Sequence, residues 1–102
     1  MKKISVGVAD DNRDYCDLIS DYFSSNKEIE ISFVANDGIK TIDSIKKYNP
    51  EVLILDMVMP RLDGVGVLEE MNSIEMDSYP KIIVLSAVGQ EAFTKKAISL
   101  GA

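Results

Sequence analysis

The stretch VLILDMVMP, residues 52–60, decides which fold this chain can adopt. Its four leading aliphatic residues suit a strand that is buried on both faces, as in the middle of a parallel sheet. Asp56 then stands at the carboxyl end of that strand, which is the edge where open α/β sheets place their ligand sites. Because Asp also caps turns, this stretch alone leaves a turn-capping role for Asp56 as the simpler interpretation.

Strands and helices alternate on both sides of this central strand. Apolar alternation and short apolar runs predict three further strands, over residues 4–9, 29–35 and 82–85. Helical spacing predicts four helices, over residues 13–24, 39–48, 65–74 and 90–100. The strict alternation predicts the α/β class, with a doubly wound parallel sheet, right-handed crossovers and helices on both faces.

The same patterns predict which side chains are buried. The first strand turns its larger residues to one side and leaves small residues opposite, where a helix could pack closely. The run from Ile82 to Leu85 is expected to be fully buried, like the central strand. The residues expected to form the apolar faces of the first strand and first two helices are Ile4, Val6, Val8, Tyr15, Leu18, Ile19, Tyr22, Phe23, Ile39, Ile42 and Ile45.

Bulk composition narrows the function. The chain has 102 residues, enough for one domain with a real core. Its net charge of −6 argues against direct binding to a nucleic-acid backbone and fits a cation or a cationic partner. The absence of His excludes imidazole as a base or ligand, and the single Cys16 is expected to be a packing residue in a reducing, cytoplasmic protein. No apolar run or leader indicates membrane insertion or export.

Polar residues follow three of the predicted strands. Asp10-Asp11, Asp56 and Ser86 each come at a strand's carboxyl end, and those ends share one edge of a parallel sheet. Converging carboxylates raise one another's pKa unless a cation lies among them, and Mg²⁺ suits a site with few carboxylates. The alternative for Asp10-Asp11 is that they cap the first helix.

Four segments in this order and at this spacing resemble the receiver domain of two-component response regulators. They are Asp10-Asp11-Asn12, Leu55 to Pro60, Asp63-Gly64 and Leu85-Ser86-Ala87. Within that family, residues 8–12 and 89–102 resemble the sporulation branch, the stage-zero regulators of endospore-forming bacteria. The resemblance implies a flavodoxin-like receiver fold and a signalling domain rather than an enzyme.

The resemblance also implies a role for each site residue. Asp56 would be the phosphoacceptor, taking phosphate from a sensor histidine kinase or a phosphotransfer protein. Mg²⁺, or another divalent cation such as Ca²⁺ or Mn²⁺, would be held by Asp11 directly, by Asp10 mostly through water, by Asp56 and by the backbone carbonyl of Val58. Ser86 would be the switch hydroxyl. DNA would be bound only through an effector domain that is absent from these residues.

The family pattern continues beyond Ala102 into a fifth strand with a lysine and a fifth helix. We therefore expect residues 1–102 to be an incomplete receiver domain, either part of a longer parent or paired with a second copy as a homodimer or swapped dimer. The edge of the fourth strand would then expose Ile82 and Val84. Lys81 would lie at the wrong edge to replace that lysine, and Lys95 and Lys96 are expected on a solvated helix face.

Two rival functions remain open. A Mg²⁺-dependent phosphohydrolase usually needs a second acid two residues after its aspartyl nucleophile, where this chain has Val58. A receiver-like interaction module that is not phosphorylated is the other alternative. For a receiver, the apolar Val58 and Val88, each two residues beyond a site residue, predict slow loss of the phosphoryl group.

Overall fold

The computed structural model describes residues 3–85, 95–96 and 98–101. Four strands and three helices alternate in these residues: β1 (Ile4–Ala9), α1 (Arg13–Phe23), β2 (Ile29–Ala35), α2 (Gly38–Tyr48), β3 (Val52–Asp56), α3 (Gly64–Ser73) and β4 (Lys81–Leu85). Of the helix predicted over residues 90–100, the described positions 95–96 and 98–99 are helical, Leu100 lies in a turn, and the others lie outside the described residues. Within the described part of the chain, no helix has the length and apolarity to cross a bilayer.

The four strands form one parallel sheet in the order β2-β1-β3-β4. Side chains of α2 and α3 pack with one face of the sheet, in a core that includes Ile45, Leu55 and Leu68. On the opposite face, Cys16 and Ile19 of α1 pack in a second, smaller cluster. The predicted doubly wound sheet, with helices on both faces, is confirmed.

The central strand β3 is buried, as its sequence predicts. Leu53 and Leu55 have no exposed surface and belong to the larger core. Val52 and Ile54 point to the other face and are partly buried against the smaller cluster. Because β3 lies between β1 and β4, its residues are hydrogen-bonded on both sides, which fixes the position of Asp56 at its end.

The prediction that β4 is fully buried is wrong. Ile83 is 53% exposed, because the cluster beneath α1 contains residues of β1, β2 and β3 but none of β4. The expectation that Ile82 and Val84 face water is also wrong, since both pack against the larger core. β4 is an outer strand of the described sheet, and of its two faces only the one carrying Ile82 and Val84 packs against a described core cluster.

The apolar faces predicted for α1 and α2 are only partly correct. Ile19 of α1 packs against the sheet as predicted, together with Cys16, whereas Leu18 and Tyr22 are largely exposed because they lie outside that face. In α2, Ile39 is exposed, and Thr41 is fully buried in its place. The hydroxyl of Thr41 donates a hydrogen bond to a backbone carbonyl one turn earlier, which satisfies a polar group that a hydrophobicity pattern counts against burial.

On the small face of β1, Ala9 packs in the core shared with α2, as expected, whereas Gly7 makes room for a side chain of the neighbouring strand. The register of β1 and β2 shifts after the pair Val6 and Ile31, and Gly7 then pairs with Phe33. A β-carbon on Gly7 would overlap the Phe33 ring, so the absence of a side chain at Gly7 makes room for that ring. The ring in turn stacks on Tyr48 at the end of α2, with 5.8 Å between ring centroids.

Candidate functional site

Three carboxylates meet where β1 and β3 end. Ala9 pairs with Leu55 in these adjacent parallel strands, so the next residues of the two strands, Asp10 and Asp56, come side by side. Each of Asp10, Asp11 and Asp56 has a carboxylate oxygen within 4.8 Å of the others. The convergence predicted from the strand order is therefore present, at the point where the sheet reverses its winding.

Asp10 is fixed in place by its surroundings. It is only 7% exposed, and one carboxylate oxygen accepts a hydrogen bond from the backbone N–H of Asn12 at 2.9 Å. Its backbone carbonyl accepts from the Asn36 side-chain amide at 3.2 Å and from the Cys16 thiol at 3.3 Å. Asp11, by contrast, is exposed, so a cation could reach its carboxylate directly from solvent.

The alternative that Asp10-Asp11 cap α1 is wrong. The cap is the next residue, Asn12, whose side-chain oxygen accepts a hydrogen bond from the backbone N–H of Tyr15 at 3.1 Å. Because Asn12 satisfies the helix terminus, the two acids are left for another role.

Asp56 caps a turn, which was the simpler interpretation of this residue. It also belongs to the cluster of three carboxylates. One of its oxygens accepts a hydrogen bond from the Val58 backbone N–H at 3.2 Å. The pKa of Asp56 is raised from 3.8 to about 6, chiefly by partial burial, with smaller contributions from the charges of Asp10 and Asp11 and from a hydrogen bond with Asp10. The Val58 N–H acts in the opposite direction on that pKa. The turn contact is thus too weak to offset the cost of placing a charge here.

The donor set suits a hard divalent cation. It consists of three carboxylates, one buried, one half-buried and one exposed, so solvent water could complete the coordination. The raised pKa of Asp56 reflects its partial burial first and the nearby negative charges of Asp10 and Asp11 second, and a bound cation would offset those charges. Val58, whose carbonyl is the expected fourth ligand, follows in the loop and is 48% exposed.

The structural role of Asp63-Gly64 is not apparent from the sequence. Asp63 caps α3, with a side-chain oxygen that accepts from the Gly66 N–H at 2.8 Å. The Gly64 N–H donates to the Met57 carbonyl at 3.0 Å, and a β-carbon on Gly64 would overlap the backbone of Asp56 and Met57. In the sequence, the Asp-Gly pair indicates only a turn. Nothing in the sequence indicates that Gly64 packs directly against the backbone of Asp56.

The remaining predicted site residues have different outcomes. Ser86 and Val88 lie outside the described residues; β4 ends beside the site, since Leu85 pairs with Asp56. Lys81 pairs with Val52 at the opposite end of the same strands, as expected. Lys95 and Lys96 are exposed helical residues, also as expected.

A family model described as the response regulator receiver domain matches residues 6–102. The chain belongs to this family. Receiver domains are the phosphoacceptor signalling domains of two-component systems; they bind Mg²⁺ in an acidic pocket and interact with histidine kinases or phosphotransfer proteins.

Solved structures of receiver domains are similar over nearly the whole chain. The receiver domain of NarL from Mycobacterium tuberculosis is 27% identical, with a TM-score of 0.87, covering 100% of this chain and 81% of that one. The receiver domain of the Francisella response regulator 1452 is 28% identical, with a TM-score of 0.81 and coverage of 98% and 79%. A LuxR-family DNA-binding response regulator from Staphylococcus aureus is 25% identical, with a TM-score of 0.83 and coverage of 95% and 79%. These comparisons do not support the finer resemblance to the sporulation branch.

Proposed function

We propose that this receiver domain is phosphorylated on Asp56 by a phosphohistidine of a sensor kinase or phosphotransfer protein. The observation that carries the proposal is the meeting of Asp56 with Asp10 and Asp11 at the carboxyl end of the central strand. A carboxylate is a competent nucleophile for phosphoryl transfer when it is fixed in position and when negative charge around it is offset.

The proposed reaction exchanges one bond to phosphorus for another. An oxygen of the Asp56 carboxylate forms the new P–O bond while the P–N bond of the donor's phosphohistidine breaks. The imidazole nitrogen leaves with the electron pair and takes up a proton, and the product is an acyl phosphate. Asp10, Asp11, Asp56 and the Val58 carbonyl would hold Mg²⁺ or a similar divalent cation, which when bound offsets charge on the phosphoryl oxygens.

Ionisation of Asp56 is a requirement of this scheme. With a pKa of about 6, its carboxylate is mostly ionised near neutral pH but holds a proton in mildly acidic solution. Asp10 is buried, and its carboxylate accepts a hydrogen bond from the Asn12 N–H, which holds it beside Asp56. Ser86 is proposed as the hydroxyl that donates a hydrogen bond to the acyl phosphate.

Two features favour this function over its rivals. A phosphohydrolase of the aspartyl type would need an acid where Val58 stands, and an apolar side chain there supports retention of phosphate rather than its rapid hydrolysis. An interaction module that is never phosphorylated would have no need for three carboxylates that meet within 4.8 Å at the end of the central strand.

The wider biological setting is part of the proposal. We propose a cytoplasmic response regulator in which phosphorylation controls a DNA-binding effector domain beyond residue 102, with a homodimer or swapped dimer as the alternative for residues 1–102 alone. Light scattering that gives a monomer mass for these residues would contradict the dimer. A role in sporulation rests on the resemblance of residues 8–12 and 89–102, and normal spore counts after deletion of the gene would remove it.

Addition of Mg²⁺ and beryllium fluoride, a mimic of the phosphoryl group, tests the proposal. Backbone amide signals around Asp56 in a ¹H–¹⁵N NMR spectrum should shift in the presence of both reagents. The same shifts should be lost in Asp56→Ala, and Asp63→Asn, which keeps the cap of α3, is the matched control that should retain them. An unchanged spectrum of the unsubstituted protein would favour the interaction module.

A further inference from the structure

The loop between β3 and α3 is held against the first turn of α2. The Arg61 guanidinium (Nη1) lies 3.3 Å from an Asp37 carboxylate oxygen (Oδ2). The Gly38 N–H donates a long hydrogen bond of 3.4 Å to the Pro60 carbonyl. A β-carbon on Gly38 would overlap Leu62, so the two segments approach as closely as their backbones allow. We call these interactions the α2 contact.

The backbone at Arg61 adopts a conformation that an arginine does not favour by itself. Its φ is +69°, and the Leu62 N–H donates to the Pro60 carbonyl at 2.8 Å, which closes a tight three-residue turn around it. Residues other than glycine reach positive φ only at a cost in free energy, so surrounding contacts must hold the turn in place. The bond from Arg61 to Asp37 is one such contact.

Asp37 is a firm anchor for that bond. It is 7% exposed, and its second carboxylate oxygen (Oδ1) accepts the Lys40 N–H at 2.8 Å, which caps α2. Its backbone carbonyl accepts the hydroxyl of the fully buried Thr41 at 2.8 Å. Asp37 therefore cannot move without disturbing the start of α2, whereas the Arg61 side chain is 57% exposed and would be free without it.

Val58 lies in the same loop as Arg61, three residues before it. On either side of it, Met57 and Met59 are buried, and the Met57 carbonyl accepts the Gly64 N–H at 3.0 Å. We propose that Arg61 and Asp37 are positioning residues, which hold this loop so that its Val58 carbonyl is ready for the divalent cation. This role rests on the proposed function, in which the Val58 carbonyl is a ligand.

Charge alone would give a different pattern from positioning. Removing the positive Arg61 should strengthen cation binding if only long-range charge matters, and removing the negative Asp37 should weaken it. If the α2 contact positions the loop, both changes weaken binding, and the two together weaken it little more than the stronger single change. The sign of the Arg61 effect therefore separates the two explanations.

The experiment is a Mg²⁺ titration followed by ¹H–¹⁵N NMR, with hydrogen exchange of the loop amides measured in Mg²⁺-free protein. Arg61→Ala and Asp37→Asn, which retains a capping side chain, should each weaken Mg²⁺ binding about two- to fivefold, the range of a surface ion pair. Both should speed amide exchange at Val58 and Leu62. Lys40→Ala, which removes a nearby positive charge outside the contact, is the matched control, and Arg61→Lys should restore part of the affinity.

Lys40→Ala should bind Mg²⁺ slightly more tightly, because it removes a positive charge. The same tightening in Arg61→Ala would overturn the positioning role. Unchanged exchange of the loop amides would also overturn it. Mg²⁺ binding that is normal in all variants would also overturn it while leaving the proposed function intact. A complete lack of saturable Mg²⁺ binding by the unsubstituted protein would instead remove the cation site of the proposed function, and the positioning role with it.

Discussion

Asp10 and Asp56 lie side by side because Ala9 and Leu55, the residues before them, are paired in adjacent parallel strands. The register of the sheet therefore forces two carboxylates together, and Asp11 joins them within 4.8 Å. Partial burial and, to a smaller extent, the charges of Asp10 and Asp11 raise the pKa of Asp56 to about 6. Stability and cation binding should both depend on the protonation of this group.

Replacing Asp56 by Asn should stabilise the cation-free protein near neutral pH. Folded Asp56 has a pKa of about 6 against an ordinary 3.8, so the folded state holds its proton more tightly and loses stability as pH rises through that window. The stabilisation by Asp56→Asn should be small near pH 4 and reach its full size above about pH 6. Urea unfolding across this range measures it, and a pH-independent difference would contradict the account.

Mg²⁺ binding should weaken as the solution is acidified below about pH 6, because protons then compete for Asp56. Above that value the affinity should level off. Titration calorimetry at several pH values checks this, with Asp63→Asn as a control that should follow the same curve. An affinity that stays constant down to about pH 4.5 would show that Asp56 does not bind the cation.

Gly64→Ala should destabilise the protein by about 1–3 kcal/mol, because the added methyl group would overlap the backbone of Asp56 and Met57. Gly66→Ala is the matched control two residues later in α3. There the nearest atom is the end of the Leu62 side chain, which can move, and Ala favours the helix. Urea unfolding of both variants is the measurement, and equal stabilities would contradict the close approach seen at Gly64.

Cys16 should react slowly with thiol reagents in the folded protein. It is buried beneath the site, and burial, followed by the charge of Asp10, raises the pKa of its thiol to about 11. The thiolate is the reactive form, so little of it is present at pH 8. The rate of reaction with a disulfide reagent should rise sharply in urea. Fast labelling of the folded protein would show that α1 does not cover Cys16.

The parallel sheet and the meeting of the carboxylates were predictable because both follow from local patterns and one topological rule. An apolar run ending in Asp marks β3 and its carboxyl edge, and alternation with helices makes the sheet parallel. The exposure of Ile83, Leu18 and Tyr22 was not predictable in the same way. It depends on which strands α1 covers, and the periodic pattern of one helix does not show how many strands that helix covers.

Finer contacts at the site were also beyond the sequence. Asp10, Asp11 and Asn12 are all good capping residues, and only the register of β1 decides that Asn12 takes the cap. The contact of Arg61 with Asp37 joins residues 24 positions apart through a positive φ that arginine rarely adopts. Such contacts arise from tertiary packing, which overrides local preference.

The central claim is that Asp56 accepts a phosphoryl group, and mass spectrometry after incubation with Mg²⁺ and a small phosphodonor such as acetyl phosphate tests it most directly. We expect one phosphoryl group on the protein, dependent on Mg²⁺, absent from Asp56→Asn and retained by Asp63→Asn. Phosphorylation that persists in Asp56→Asn, or that maps to another residue, would contradict the account.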